Sequence, residues 1–342
     1  VISQVGCGHS SMWIPGAFWN SAPDGLFPLK MFIRENRGYV IGSYAGEEYC
    51  SPGETILPMG SELMSVNGKP LKDIVDRLED LSSADGLNQA FRSAKVNQYF
   101  PLKYAVAYGL ADSFRVRYKL PGQDGISECI LEPVSKTQVD KSRPGDPELS
   151  YRELEPGHVG LLTINSFGYY GRVDWFKSFI DSVFLVCRDQ QIESLILDLR
   201  GNGGGDPFCA SYLWAYLQHE PSPYFEDHYG RYDTLANPVP LPDNYYKGRL
   251  YTLIDGLGFS TTGHFCGLLK YHGVGEFEGS ETGATYTCTG NATYPALDHT
   301  GIMVGTARVM RYTAAVKGMD PTRGILPDHP VEISVRDLIQ GR

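Results

Sequence analysis

Residues 194–205 read SLILDLRGNGGG. A continuous Leu-Ile-Leu run has no polar face to turn to water, so as a strand it has to be covered on both sides. That is the pattern of a parallel sheet lying between helices. RLYTLID (249–255) is a second such run, and HVGLLTINSF (158–167) a third. Each is followed by a helical pattern. Residues 173–187 place Trp175, Phe176, Phe179, Ile180, Val183, Phe184 and Cys187 on one face at helical spacing. PFCASYLWAYL (207–217) begins with Pro, which costs little where no N–H partner is lost. TTGHFCGLLKY (261–271) completes the third pair. Repeated strand–helix pairs predict an α/β core, a mixed sheet with flanking helices. Residues 220–247, rich in Pro and Tyr, read as a long ordered loop or lid.

Upstream of the core the pattern changes. Glu62–Val66 reads as a short strand and Asn67-Gly68 as a tight turn, since both residues tolerate positive φ. Leu71, Ile74, Val75 and Leu78 then recur at helical spacing. FRVRYKL (114–120) and ECILEPV (128–134) flank a turn at Pro121-Gly122 and predict a hairpin. This order resembles a PDZ-like β-rich domain, with residues 82–110 longer than a compact module needs. A groove of that kind binds an extended peptide by adding it to a sheet edge. KTQVDKSRPGDPELS (136–150) is polar and aperiodic and reads as a linker. The expected division is therefore an N-terminal segment (1–24), a PDZ-like domain with an insertion (25–135), a linker (136–150) and an α/β core (151–342).

Charge and cysteine usage remove several functions. The net charge is −10 and no Lys/Arg cluster is present, which argues against nucleic-acid binding. No apolar run reaches the roughly 18 residues of a membrane span. The seven cysteines are scattered without a C-x-x-C pair, so a zinc site is not expected, and Cys187, Cys209 and Cys266 fall in apolar helical patterns as buried thiols. No metal or cofactor is implied. The chain opens directly on VISQVGCGHS, without a signal-peptide pattern, and reads as a mature or trimmed chain.

GNGGG after a buried strand admits three uses. Glycine amides opening a helix can cradle a phosphate, but the run is neither G-x-G-x-x-G nor G-x-x-x-x-G-K-[ST] and no lysine follows. They can form an oxyanion hole, because without a Cβ the N–H groups approach a carbonyl oxygen closely. Or they simply make a tight strand-to-helix turn. The oxyanion reading needs a nucleophile, and IDGLGFSTTGHFCGLL offers Ser260 at the start of a helix, after a buried strand. Alone, Ser260 reads equally as an N-cap. Beside the glycine run, at a shared sheet edge where sites form in α/β proteins, it reads as a nucleophile.

LILDLRGNGGG, GFSTTGHF, GSETGA (279–284) and RGILPDHPVEI (323–333) occur in that order. Together they resemble the C-terminal processing (tail-specific) serine peptidase family, which includes the tricorn core protease. The resemblance covers the chain well from about residue 155 onward, and more loosely before it. It implies a PDZ-like domain ahead of a catalytic α/β core, Ser260 as nucleophile, and an oxyanion hole from the amides of Gly203, Gly204 and Thr261. One branch of the family activates the serine with a lysine about two dozen residues further on. Here no lysine lies between Lys270 and Lys317. The tricorn-like branch uses a histidine ahead of the PDZ-like domain. VGCGHSSMWIP offers His9 in that role, although Cys7 stands where that branch has an aspartate. Imidazole suits the task because its ordinary pKa lies near neutrality. His264, one turn beyond Ser260, shares its helix and is poorly aligned for the role. Ser10 and Asp320 are candidate orienting groups for the imidazole, and Glu281 reads as structural. In relatives a helical domain precedes this histidine, and here it would be missing or removed.

The expected function is a serine endopeptidase or carboxy-terminal processing protease. It would cut peptide or protein substrates through an acyl-enzyme on Ser260, and by resemblance it would work outside the cytoplasm. Asp198 and Arg200 would fix the glycine loop. The alternative is a non-catalytic binding protein on the same fold, for a peptide or a hydrophobic small molecule, with the Tyr-rich 212–246 region lining its cavity. The Ser260–His9 distance separates the two readings. Oligomeric state is left open.

Overall fold

The structure is a computed structural model that describes residues 2–21, 24–46, 57–141 and 148–340. Cys50 and residues 142–147 of the expected linker lie outside the described residues.

Six strands form the core sheet, in the order Leu149–Glu155, Val159–Ile164, Ser194–Asp198, Arg249–Ile254, Glu276–Gly279 and His329–Pro330. The first is antiparallel to its neighbour, and every later pair is parallel. The sheet is therefore mixed, as the strand–helix alternation predicts. Leu195 and Leu197 are fully buried, and the helices Val173–Asp189, Pro207–Leu217 and Thr261–Tyr271 contribute to the same apolar cluster. Trp175 departs from its expected place. It is 49% exposed, off the buried stripe of Phe176, Ile180, Val183, Phe184 and Cys187, and the Arg172 guanidinium lies 4.7 Å from its ring. Residues 220–247 are no open lid. Tyr224, Phe225, Tyr232, Leu235 and Tyr246 are buried in the core cluster, around a 3-10 helix at Gly230–Ala236. Tyr224, Phe225, Tyr232 and Leu235 fill space in that core, while Tyr246 also borders a small pocket with Leu217, His219 and Leu250.

In the first half a sheet runs in the order Leu29–Arg34, Arg37–Ser43, Glu62–Val66, Phe114–Lys119 and Ile126–Leu131. Asn67 and Gly68 make the expected turn with φ of 48° and 77°. The helix Leu71–Asp80 buries Leu71, Ile74, Val75 and Leu78. The extra length at 82–110 is a 20-residue helix, Gln89–Tyr108, with non-helical backbone at Tyr99 just before Pro101, where the proline ring cannot accommodate the preceding turn. Leu29–Arg34 is an edge strand, and the Asn97 side chain closes part of its free edge. Asn97 Oδ1 accepts from Ile33 N–H at 2.6 Å and Nδ2 donates to Ile33 C=O at 2.8 Å.

Two features were not legible in advance. Residues 136–141 of the expected linker form a short helix, Lys136–Lys141, seated by the buried Val139, and the strand Leu149–Glu155 already begins inside the linker's far end. The N-terminal segment forms a strand, Ser11–Trp13, that pairs antiparallel with the distant strand Met303–Thr313. That strand pairs in turn with Thr287–Thr293. This three-stranded sheet carries the start of the chain to the edge of the core.

Candidate active site

Ser194–Asp198 and Arg249–Ile254 are neighbours in register, Asp198 opposite Leu253, and their C-terminal ends open on the same edge. The loops that follow are tied to each other. Asp255 accepts from Gly201 N–H at 3.0 Å and from Leu257 N–H at 3.0 Å. Phe259 N–H donates to Asn202 C=O at 3.0 Å. The fully buried Asn202 side chain donates to Ile164 C=O (2.8 Å) and accepts from Gly204 N–H (2.9 Å) and from the Thr262 hydroxyl (2.8 Å). Thr261 Oγ1 donates to Gly205 C=O at 2.7 Å. Arg200 forks onto Asp198, with Nε to Oδ1 at 2.9 Å and Nη2 to Oδ2 at 2.6 Å, and so holds the start of the loop.

The glycines are needed for closeness. A Cβ on Gly204, whose φ is +94°, would stand 2.8 Å from Ser260 Cβ and 2.9 Å from Thr261 N. Gly203 and Thr261 N–H donate to no acceptor among the described residues. Gly204 N–H differs, because Asn202 Oδ1 already holds it.

Ser260 occupies the N-cap position of the helix Thr261–Tyr271, yet its side chain makes no capping bond. Its backbone lies at φ 58°, ψ −122°. A non-glycine residue held there costs on the order of 1–3 kcal/mol and persists only where its surroundings enforce it. A sharp strand-to-helix turn of this kind lifts a hydroxyl out of the helix and away from its own amides. Ser260 Oγ lies 3.0 Å from His9 Nε2, across 251 residues of sequence.

His9 arrives through the N-terminal strand. Cys7 Sγ lies 2.9 Å from Thr289 Oγ1, Gly86 N–H donates to Gly6 C=O (3.0 Å), and Gly8 N–H donates to Asp85 Oδ1 (2.7 Å). The imidazole lies against the Phe259 ring, centroids 4.7 Å apart, and Phe259 stacks on Phe91 at 4.3 Å. Gly8 has no side chain because a Cβ there would meet that ring at 2.6 Å. Burial pushes His9 down to about 4, so it stays a neutral base over the ordinary pH range. Its Nδ1 is buried and has no partner among the described residues.

The remaining sequence candidates sit elsewhere or are engaged. Asp320 is exposed and bonds the hydroxyl and amide of Thr322, and neither it nor Ser10 hydrogen-bonds the His9 Nδ1. Glu281 holds Arg323 and Gly324 N–H, joining GSETGA to RGILPD as a structural clasp. His264 is buried with Nε2 3.1 Å from Tyr312 C=O and pushed down to about 3 by desolvation. Lys270 is paired with Asp328, away from the serine. Sequence reasoning passed over Asn202, Asp255, Asp85, Phe91 and Cys288, whose thiol interacts with the Ser260 hydroxyl. Of these only Asn202, set inside the glycine run, carried a local signal.

A serine hydroxyl beside a neutral imidazole, at a sheet edge lined with bare amides, marks the serine hydrolases as a class. The particular family follows from the sequence. Residues 158–331, just over half of the chain, match the model of peptidase family S41, and the chain belongs to that family. It is a serine-type peptidase, acting on peptides or proteins. No curated protein matches the sequence. Among solved structures, mature CPAF complexed with lactacystin is 13% identical, with 99% of this chain and 84% of that chain covered at a TM-score of 0.64. Mature CPAF alone is 14% identical, covering 99% and 82%, also at 0.64. At such identities the likeness is one of fold. Among the described residues no helix is long and apolar enough to cross a membrane.

Proposed function

We propose that this peptidase is an endopeptidase or carboxy-terminal processing protease of the serine–histidine type, working through an acyl-enzyme on Ser260. The observation that carries the reading is the 3.0 Å approach of His9 Nε2 to a serine that is held at positive φ and caps nothing. Ser260 Oγ forms a bond to the scissile carbonyl carbon and its proton passes to His9 Nε2. The oxyanion that develops is met by the N–H groups of Gly203 and Thr261. Gly204, expected to share that role, contributes instead through the approach its missing Cβ allows. The C–N bond then breaks as His9 returns the proton to the leaving amine. Water repeats the cycle in reverse, giving the carboxylic acid and free Ser260.

His9 in the basic role favours the serine–histidine branch over the serine–lysine one, since Lys270 is engaged by Asp328. The first-half sheet fits a PDZ-like module, but Asn97 already occupies the Ile33 position on its free edge, so a peptide would have to add elsewhere along that edge or displace the amide. Extracytoplasmic residence belongs to the same proposal on resemblance alone, and cell fractionation checks it.

A fluorophosphonate that phosphonylates activated serines with loss of fluoride tests the site. Wild-type protein should be labelled, Ser260→Ala should not, and His9→Ala should label at least a hundredfold more slowly. Labelling that survives in Ser260→Ala refutes the assignment of the nucleophile. A non-catalytic binding protein has no need of the Ser260–His9 contact, so an unlabelled wild-type chain would turn the reading towards that alternative.

A further inference from the structure

His9 poses a problem that the expected orienting groups do not solve. Neither Asp320 nor Ser10 bonds its Nδ1, and that atom, which must carry the ring proton if Nε2 is to accept from Ser260, is buried without a hydrogen-bond partner among the described residues. When Nε2 takes the serine proton, a full positive charge appears in a desolvated place. Such a charge is costly unless a negative one faces it.

The described residues near that place hold one buried carboxylate. Asp85 lies in the turn between the helices Leu71–Asp80 and Gln89–Tyr108 and is 8% exposed. Its Oδ1 accepts from Gly8 N–H at 2.7 Å, the amide immediately before His9. Next to it Gly86 N–H holds Gly6 C=O, so residues 6–8 are gripped at two points by residues 85–86. Asp85 Oδ2 is buried and has no partner among the described residues. Two orphaned atoms of complementary kind, an imidazole N–H and a carboxylate oxygen, thus belong to adjoining backbones tied by a hydrogen bond.

We propose that Asp85 is the positioning residue of this site: it mounts His9 through the Gly8 amide, and its carboxylate charge supports the imidazolium formed when Ser260 is deprotonated. The inference rests on the Ser260–His9 reading. It gives the base a carboxylate from the first half of the chain, in place of one from the segment after the serine.

The pH behaviour follows from the groups that face this pocket. Desolvation raises Asp85 to about 6, with Gly8 N–H and Arg311 opposing the shift. His9 is held down near 4. Cys7 from the N-terminal segment, His264 from the serine helix and Cys288 and Arg311 from the strands Thr287–Thr293 and Met303–Thr313 complete the surroundings. His264 is neutral above about 3, and burial holds the Cys288 thiol protonated well above its ordinary value. Near pH 6, then, Asp85 is the group gaining charge. If its anion supports the imidazolium, the rate should climb as pH rises through about 6.

The experiment measures second-order fluorophosphonate labelling rates from pH 4 to 9 on the full chain, with melting temperatures alongside. Asp85→Asn keeps an oxygen acceptor for Gly8 N–H and removes the charge. It should slow labelling at pH 7.5 by tenfold or more, and the acid limb near 6 should vanish, leaving a limb at lower pH. Asp85→Ala, which also loses the Gly8 anchor, should be slower still. Wild-type rates in Asp85→Asn overturn the proposal, and so does an equal slowing at every pH, which is what a merely structural role predicts. His9→Ala separates this failure from that of the underlying reading. If His9→Ala labels normally, His9 is not the base. If His9→Ala is inert while Asp85→Asn is normal, only the role of Asp85 falls.

Discussion

Asn202 shows how much one side chain contributes to the site. It is fully buried and reaches three elements: the end of the strand Val159–Ile164, the glycine loop, and the first turn of the serine helix. In sequence it looked like an ordinary turn residue among glycines. Asn202→Ala would strand Ile164 C=O, Gly204 N–H and the Thr262 hydroxyl, and each buried group left unpaired costs about 1–3 kcal/mol. The expected outcome is a melting temperature lowered by several degrees and labelling slowed at least tenfold, read by calorimetry and by the fluorophosphonate rate. Stability loss with an unaltered rate in the folded fraction would show that Asn202 supports the sheet but not the loop geometry. At the same scale, the positive φ of Ser260 is invisible in sequence, where a serine before a helix is as good a cap as a nucleophile.

Among the elements, the helix Gln89–Tyr108 joins the two halves at the site. Its N-cap Asn88 accepts from Phe91 N–H (2.9 Å) and donates from Nδ2 to Thr282 C=O (2.8 Å), so the helix start is fastened to the core. Phe91, in the first turn, stacks on Phe259, which in turn backs His9. These rings, with Ala84 and Ala284, form a small apolar cluster of their own between the two larger cores. Phe91→Ala removes the ring that backs Phe259, and comparable losses in packed interiors run to about 3–5 kcal/mol. We expect the two halves to uncouple, so that a single thermal transition broadens or splits in calorimetry while labelling falls. One sharp transition with wild-type labelling would refute this coupling.

Across the whole molecule, burial of neutral imidazoles links stability to pH. His264 is 2% exposed and its folded value near 3 lies below the ordinary 6.5, and His9 shifts in the same direction. Between those values the unfolded chain binds more protons than the folded one. The stabilisation is therefore complete above about pH 6.5 and is lost as pH falls towards 3. Buried Asp85, raised to about 6, acts in the opposite sense between that value and its ordinary one, so the His264 share is read by difference: acidification from pH 7 should lower the melting temperature of the wild type more than that of a His264→Gln variant. An identical slope in the variant would remove His264 from the account.

The core was legible because its signals are local. The continuous run Leu195-Ile196-Leu197 announces a strand covered on both faces, Leu250 and Ile254 mark the buried face of its neighbour, and Phe176, Ile180, Val183 and Phe184 recur at the helical period, so the mixed α/β sheet followed from spacing. The Asn67-Gly68 turn and the hairpin of the first half were readable for the same reason, since φ preference and alternation act over a few residues. His9 was reachable only through resemblance to a family, for nothing in CGHSS states what it will face. Asp85 and Phe91 were passed over because their partners lie far away in the chain and no local pattern encodes such a meeting, and Asn202 because its place in the glycine run tells nothing of Ile164 and Thr262.

By itself the sequence determined which segments become strands and helices, where glycine leaves amides bare, and which serine stands at a helix start. Only the tertiary structure decided that the Ser260 side chain turns to His9 instead of capping its helix, that Asn202 claims the Gly204 amide, and that Asp85 from the first half takes the Gly8 amide next to His9. The physical reason is range. Hydrophobic period and backbone preference are properties of neighbouring residues, whereas a hydrogen bond across 251 residues exists only once the N-terminal strand has paired with the distant strand Met303–Thr313.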